Sequence, residues 1–154
     1  MCNIKLNLPT FEIRQQICDG REEFFDLVRQ IWVPNTPEEY VRQHLLHYLV
    51  EHLKVPRGLL AVEMPIKVNG MDRRCDIVVY TNSGKPKMIV ECKGPTIKIT
   101  QKAVDQAGSY NLTLKTPFLL ISNGVQHYSF HIDYMKQETQ MLDFIPDYTY
   151  LLKH

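Results

Sequence analysis

Asp76, Glu91 and Lys93 are the residues whose types and spacing could do chemistry. Glu91 and Lys93 are two apart in the apolar run Met88-Ile89-Val90-Glu91-Cys92-Lys93, so on a strand they point to one face. Asp76 stands in a second apolar run, Arg74-Cys75-Asp76-Ile77-Val78-Val79-Tyr80, and Asn82-Ser83-Gly84 between the two reads as a turn. A hairpin centred between Ser83 and Gly84 sets Asp76 directly opposite Glu91, with Cβ atoms ~5 Å apart. Facing carboxylates destabilise a strand pair, so the arrangement asks for a positive charge between them. Lys93 is one candidate and a divalent cation is the other. Hard oxygen ligands with few protein contacts suit Mg2+, or Mn2+, which keeps waters and takes phosphate oxygens. Such an ion acidifies water and stabilises charge on a phosphodiester. Lys93 could then orient or deprotonate the water, or neutralise the developing oxyanion. The plainer reading is a salt bridge from Asp76 to Arg73, Arg74 or Lys93.

The elements around these residues follow from punctuation and period. An apolar cluster at Phe24, Phe25, Val28, Ile31 and Trp32 suggests a short helix within an otherwise irregular segment of about 1–35. Thr36-Pro37-Glu38-Glu39 offers an N-cap, a proline at the first helical position and a glutamate three residues after the cap. The helix should run from about Pro37 to His52, burying Val41, Leu45, Tyr48, Leu49 and Leu53. Leu60, Val62, Met64, Ile66 and Val68 alternate as a strand with one apolar face, and Asn69-Gly70 predicts a tight hairpin. Thr100 caps a second helix to about Leu114, with Ala103, Ala107, Tyr110 and Leu114 on one stripe. Phe118-Leu119-Leu120-Ile121 is a short buried strand, Asn123-Gly124 a turn, and 126–131 another strand. A last helix is expected over Tyr134–Leu142, in a C-terminal helix and tail of 132–154. The strand–helix–strand crossover makes its two strands parallel, giving a mixed α/β sheet flanked by helices.

Weaker signals surround the centre. A tight turn at Asn69-Gly70 puts Glu63 opposite Asp76, either as a third acid or as a partner of Arg73 or Arg74; a one-residue slip reverses its face. His44, His47 and Glu51 have helical spacing but lie off the apolar stripe and are expected on a solvated face. His127 and His131 share a strand face without further ligands. Cys2, Cys18, Cys75 and Cys92 form no Cys-x-x-Cys pair, so free, mostly buried thiols are expected rather than a zinc or redox motif.

At 154 residues, 44% hydrophobic and 23% charged, the chain fits one globular domain, here taken as 1–154 with its core at about 36–131. It contains no apolar run of membrane-spanning length and no secretory signal pattern, which predicts a cytoplasmic protein with no membrane partner. The net charge of +1 alone argues against nucleic acid. Its distribution leaves room for a footprint on phosphates, since Lys54 to Lys115 holds 11 Lys and Arg against 5 Asp and Glu while the flanks hold 7 against 12, but on charge alone a solvated Lys/Arg surface is the favoured reading. Arg73, Arg74, Lys98 and Lys102 of this block are the candidate phosphate contacts.

Asp76 followed after a turn by Glu91-Cys92-Lys93 resembles the core motif of the PD-(D/E)xK nuclease superfamily. The wider text is similar to the family of N-terminal nuclease domains of type I restriction enzyme R subunits. Its matching pieces are Thr36-Pro37-Glu38-Glu39-Tyr40-Val41-Arg42-Gln43, Arg74 to Tyr80, Val90 to Lys93, Asp105-Gln106-Ala107-Gly108-Ser109-Tyr110-Asn111, and Asn123-Gly124. The resemblance spans about Phe24 to His131, with Cys75 standing where the superfamily's name has proline. It implies a restriction-endonuclease-like mixed sheet with an α-β-β-β-α-β core. It implies Asp76 and Glu91 as metal ligands, Lys93 as the catalytic lysine, and an acid on the first helix, carried to Glu39 with Glu38 as the alternative. Gln106 and Tyr110 match a Gln-x-x-x-Tyr element that shares one helix face. The implied activity is metal-dependent (Mg2+ or Mn2+) hydrolysis of DNA phosphodiesters. A helicase or restriction-modification subunit fits as partner, and a homodimer is compatible because cutting both strands needs two sites. No Gly-x-x-x-x-Gly-Lys-Ser/Thr loop accompanies it. The alternative is a non-catalytic nuclease-fold module for DNA binding or subunit interaction. A structural or small-molecule protein using the same acids as salt bridges is a third reading, and it gives no reason to gather Glu39, Gln106 and Tyr110.

Overall fold

The computed structural model describes residues 4–154, so Cys2 lies outside the described residues. The N-terminal part is a three-stranded antiparallel sheet of β1 (Gln15–Cys18), β2 (Arg21–Phe25) and β3 (Trp32–Pro34). This corrects the irregular segment and short helix expected there. Asp19 and Gly20 both take positive φ, 51° and 76°, the backbone of a two-residue hairpin turn. After β2 the Asp26 carboxylate accepts hydrogen bonds from the backbone N–H of Val28 and Arg29 and reverses the chain. Phe24 pairs with Val33 and both are buried, so the aromatic residues that suggested a helix instead alternate across a small sheet.

Helix α1 (Pro37–Glu51) begins as the sequence predicts, with the Thr36 hydroxyl accepting from Glu39 N–H at 3.1 Å. Val41, Leu45, Leu46 and Leu49 are fully buried, and Arg42 and Gln43 are buried with them. A six-stranded sheet follows in the order β4 (Leu60–Val68), β5 (Met71–Tyr80), β6 (Pro86–Cys92), β7 (Phe118–Ser122), β8 (His127–Asp133) and β9 (Glu138–Leu142). Only β6 and β7 are parallel, joined by the crossover helix α2 (Gln101–Leu114), which Thr100 caps. On one face Leu45, Leu49, Val90, Phe118 and Leu151 pack together under α1 and α3 (Tyr148–Lys153). On the other, Ile89, Leu119, Ile121 and Phe130 pack with Ala107 of α2.

The helix expected over Tyr134–Leu142 is a turn and a strand. Asp133 accepts from the N–H groups of Met135 and Lys136, Gln137 takes φ of 54°, and β9 returns along β8. A local carboxylate-capped turn here outcompetes helix initiation. The sheet therefore continues to residue 142 rather than ending near 131. A second correction lies in β4. Leu60 and Val62 pack on the α1 face, whereas Met64, Ile66 and Val68 pack on the α2 face. The change of face falls at Glu63, whose φ of 53° is left-handed. In β5 Ile77 and Val79 pack on the α1 face and Cys75 on the α2 face, so both strands of the hairpin change face at the level of Glu63 and Asp76. Among the described residues no helix is long and apolar enough to cross a membrane.

Candidate active site

The register at the centre is the expected one. Ile77 pairs with Val90, Val78 with Ile89 and Val79 with Met88, the predicted pairing up to the residues next to Asp76 and Glu91; a shift of one residue is confined to the turn side of Val79. The β4–β5 pairs on both sides, Val62 with Ile77 and Met64 with Cys75, likewise set Glu63 beside Asp76. Asp76 is held at both oxygens. Its Oδ2 accepts from the backbone N–H of Cys92 at 2.7 Å, and its Oδ1 accepts from Arg42 at 3.2 Å. The salt-bridge partner is thus none of Arg73, Arg74 and Lys93, but an arginine from α1.

Arg42 is the hub of an ion-pair network. Its side chain is 4% exposed, and its two terminal nitrogens lie 2.9 Å from Glu39, 3.2 Å from Glu63, 3.2 Å from Asp76 and 3.5 Å from Glu38. Burial alone disfavours its charge, but Glu39, Asp76 and Glu63 outweigh that and raise its pKa further. Arg29, from the turn after β2, adds contacts to Asp26 at 2.9 Å, Glu39 at 3.0 Å and Glu63 at 3.6 Å. Buried Gln43 donates to Asp26 and Glu39. Glu39, the acid that the resemblance places on the first helix, is therefore engaged by two arginines and a glutamine. Glu38 is half exposed, and burial followed by the charge of Asp76 raises its pKa. Glu63 also meets Arg74 at 3.5 Å.

Glu91 lies on the other side of the same strand pair. It is 8% exposed, and its Oε1 is buried without a hydrogen-bond partner. Burial, then the charge of Asp76, pushes its carboxyl up to about 9. With Lys93, Gln106, Tyr110, Ala103, Ala107 and Ile121 it lines a cavity of about 20 Å³, room for a single water molecule. Tyr110 is half-buried, and burial followed by the charge of Glu91 raises its pKa. Gln106 is exposed and brings its side chain to the cavity wall. Asn123 closes the frame: it accepts from Val125 and Gln126 N–H and donates to Ile97 O, tying the β7–β8 turn to the loop that follows Lys93.

The structure thus brings Asp76, Glu91, Lys93, Gln106 and Tyr110 to one end of the sheet, with Glu38, Glu39 and Glu63 on its α1 side. Arg73, Arg74, Lys98 and Lys102 are exposed. His47 pairs with Glu51 at 3.3 Å and His44 with Tyr40 O, while His127 bonds Ser122 and His131 packs on Phe118. Cys18 is exposed, and Cys75 and Cys92 are buried free thiols. Among the described residues no group of three or more His, Cys, Asp or Glu side chains is arranged to hold a metal ion. Two features nevertheless fit a cation at Asp76 and Glu91. One is the orphaned oxygen of Glu91. The other is charge: six carboxylates (Asp26, Glu38, Glu39, Glu63, Asp76, Glu91) meet four cations (Arg29, Arg42, Arg74, Lys93), an excess of two negative charges when all are ionised.

Sequence reasoning missed Arg42, Arg29, Asp26 and Gln43. Arg42 carried a readable signal, because it stands three and four residues after Glu39 and Glu38 and directly beside buried Val41. Arg29 and Asp26 carried none, since their place in the site depends on how the N-terminal sheet docks.

Residues 37–146 match the family model described as type I restriction enzyme R protein N terminus (HSDR_N). Among solved structures, a fragment described as an HsdR subunit of a type I restriction enzyme from Vibrio vulnificus YJ016 aligns over 77% of this chain. It does so with 21% identity and a TM-score of 0.56. The chain spans 25% of that structure's length, and the likeness establishes the mixed α/β fold. A protein described as a nuclease belonging to DUF820 from Anabaena variabilis ATCC 29413 aligns over 96% of this chain and 88% of its own, at 13% identity and a TM-score of 0.46. The curated proteins give no significant match. With the family model covering most of the chain, from the first helix through the last strand of the sheet, this protein belongs to the family of type I restriction enzyme R protein N termini.

Proposed function

We propose that the chain hydrolyses DNA phosphodiester bonds with a divalent metal, Mg2+ or Mn2+, held by Asp76 and Glu91. The observation that carries this reading is the buried Glu91 carboxyl beside Asp76, with an unpaired oxygen, in a family of restriction enzyme domains. When bound, the ion would supply Lewis acidity toward phosphate oxygens and water. The chain's own residues do the rest. Arg42 and the Cys92 N–H orient Asp76. Lys93 holds or moves a proton of the attacking water, or neutralises charge on phosphate. Gln106 and Tyr110 wall the water-sized cavity beside Lys93 and Glu91. Exposed Arg73, Arg74, Lys98 and Lys102 meet the DNA backbone. The family's restriction-modification context makes a helicase or restriction-modification subunit the fitting partner, and the cytoplasm the fitting place. A homodimer would supply the second site for a double-strand cut.

The test is incubation with linear, circular and single-stranded DNA plus Mg2+ or Mn2+. Cleavage is expected, and it should disappear with chelator and in Lys93→Ala. Absence of cleavage at high protein concentration, with wild type and Lys93→Ala alike, rejects the activity. The ion-pair network favours one second reading, a non-catalytic module whose acids are already neutralised by Arg29 and Arg42. Calorimetric titration with Mn2+ separates the two, because the enzyme reading expects binding that Asp76→Asn removes.

A further inference from the structure

We propose that Arg42 is the fixed cation of this site: it holds the carboxylates on the α1 side as a permanent set and confines exchangeable metal to the Asp76–Glu91 edge, so that the chain takes one divalent ion. The inference rests on the metal site proposed above and specifies how many ions it takes and which acids hold them.

An arginine stays protonated throughout the ordinary pH range, and its planar fork serves several carboxylates at once. Here the two terminal nitrogens are divided among Glu38, Glu39, Glu63 and Asp76, all within 3.5 Å. Those are the acids that a second divalent ion would need, and in two-metal sites the ions lie about 4 Å apart and share a carboxylate. Asp76 is the shared group here. One of its oxygens is on Arg42 and the other is on the N–H of Cys92, the residue that follows Glu91 on β6. Glu91 supplies an independent observation. It is more than nine-tenths buried and its Oε1 has no partner, so the unmet demand for positive charge lies on its side of Asp76 and not among the acids that Arg42 serves. Glu63 has three cations within 3.6 Å, Arg42, Arg29 and Arg74, whereas Asp76 has Arg42 alone, so it is Asp76 and not Glu63 that retains charge for an ion.

The experiment is calorimetric titration of the full chain with Mn2+, run beside the DNA cleavage assay. Wild type and Arg42→Lys are expected to bind one Mn2+ per chain. Arg42→Gln removes the fixed charge while leaving four carboxylates, and it is expected to bind a second Mn2+. Two ions in the wild type, or one ion at wild-type affinity in Arg42→Gln, overturns the proposal. If Arg42→Gln does not fold, Glu63→Gln decides. Because Glu63 is assigned to the arginines, this variant should keep one ion, with affinity reduced by less than about threefold from the lost long-range charge. Loss of binding in Glu63→Gln makes Glu63 a ligand and overturns the proposal. The two failures are distinguishable. No Mn2+ binding to the wild type defeats the metal-dependent reading together with the inference, whereas cleavage with a wrong stoichiometry defeats the inference alone.

Discussion

The two sides of the Asp76–Glu91 pair have opposite electrostatic conditions. On the α1 side, Glu39, Glu63 and Asp76 are shared between Arg42 and Arg29, and buried Gln43 fills in behind them. On the α2 side, Glu91 has the distant help of Lys93 and an oxygen with no partner. One side is saturated and the other is in deficit, although the acids belong to neighbouring strands. The difference teaches where each side's cation comes from. The α1 side takes its cations from a helix and from the N-terminal sheet, so they are part of the fold. The α2 side has a cavity instead, and whatever satisfies it must come from outside or be a proton.

Removing the internal cation should produce the largest effect. Arg42→Met leaves Glu39 and Asp76 in an apolar setting with a partner missing, and breaking a buried pair of this kind costs about 3–5 kcal/mol. Urea unfolding should show that loss, and the melting temperature should fall by roughly 10 °C in a domain of this size. Arg29→Met takes the cation from fully buried Asp26, but Asp26 keeps the N–H groups of Val28, residue 29 and Gln43 while Arg42 still reaches Glu39 and Glu63, so the loss should be smaller than for Arg42→Met. Equal and small losses from the two changes would mean that the α1 side is an ordinary solvated surface.

The α2 side should respond in the opposite direction. The carboxyl of Glu91 titrates higher in the folded chain than its ordinary value of 4.5. The folded state therefore binds the proton more tightly than the unfolded state. Its stabilising contribution is complete below the unfolded pKa and is lost as pH rises from there through about 9. In chelator at pH 8, Glu91→Gln should melt higher than wild type, with a gain on the order of 1–3 kcal/mol. At pH 4 the two should be alike. Excess Mn2+ should reverse the order, raising wild type by RT ln(1 + [L]/Kd), about 1.4 kcal/mol at ten times Kd, with little effect on the variant. A Glu91→Gln protein that is less stable than wild type in chelator at every pH would show that the carboxylate has an internal partner after all. Asp76→Asn should be nearly neutral in chelator, since Arg42 keeps three other carboxylates while Glu91 loses a repelling neighbour.

The same contrast explains what could be read from the amino-acid sequence. The α2 side was legible because its geometry is local: strand period fixes Glu91 with Lys93, helical spacing fixes Gln106 with Tyr110, and the turn at Asn82-Ser83-Gly84 returns β6 along β5, although the register beside Asp76 also needs the one-residue shift at Val79 and Tyr80. The α1 side was only half legible. Thr36 capping Glu39 is a local contact and was foreseen. The Glu39 carboxylate, however, leaves the capping pattern for Arg29, ten residues back on another element, and nothing along the chain reports that distance. The two misread helices failed for a related reason. Apolar clusters at Phe24–Trp32 and Tyr134–Leu142 fit either period over so short a span, and the deciding signals were single carboxylates, Asp26 and Asp133, that cap turns. The change of face in β4 was invisible, because a regular alternation from Leu60 to Val68 gives no sign of the left-handed residue inside it.

Glu63 sits where the two sides meet, and it should give the smallest effect. Its backbone has φ of 53°, which a side chain with Cβ adopts at a cost, and its carboxylate returns ion pairs to Arg29, Arg42 and Arg74. Two substitutions separate these contributions. Glu63→Gln keeps the backbone cost and removes the charge; the carboxylate is 37% exposed, so a loss of about 1 kcal/mol is expected, shrinking in high salt. Glu63→Gly removes the charge and relieves the backbone, since glycine accepts positive φ freely. Relief of about 1 kcal/mol offsets most of the charge loss, so Glu63→Gly should unfold within about 0.5 kcal/mol of wild type and above Glu63→Gln. Urea unfolding of the three proteins at low and high salt measures both differences. A glycine variant that falls below the glutamine variant would show that the left-handed turn at Glu63 is held by the side chain's ion pairs and not by the hairpin on either side of it.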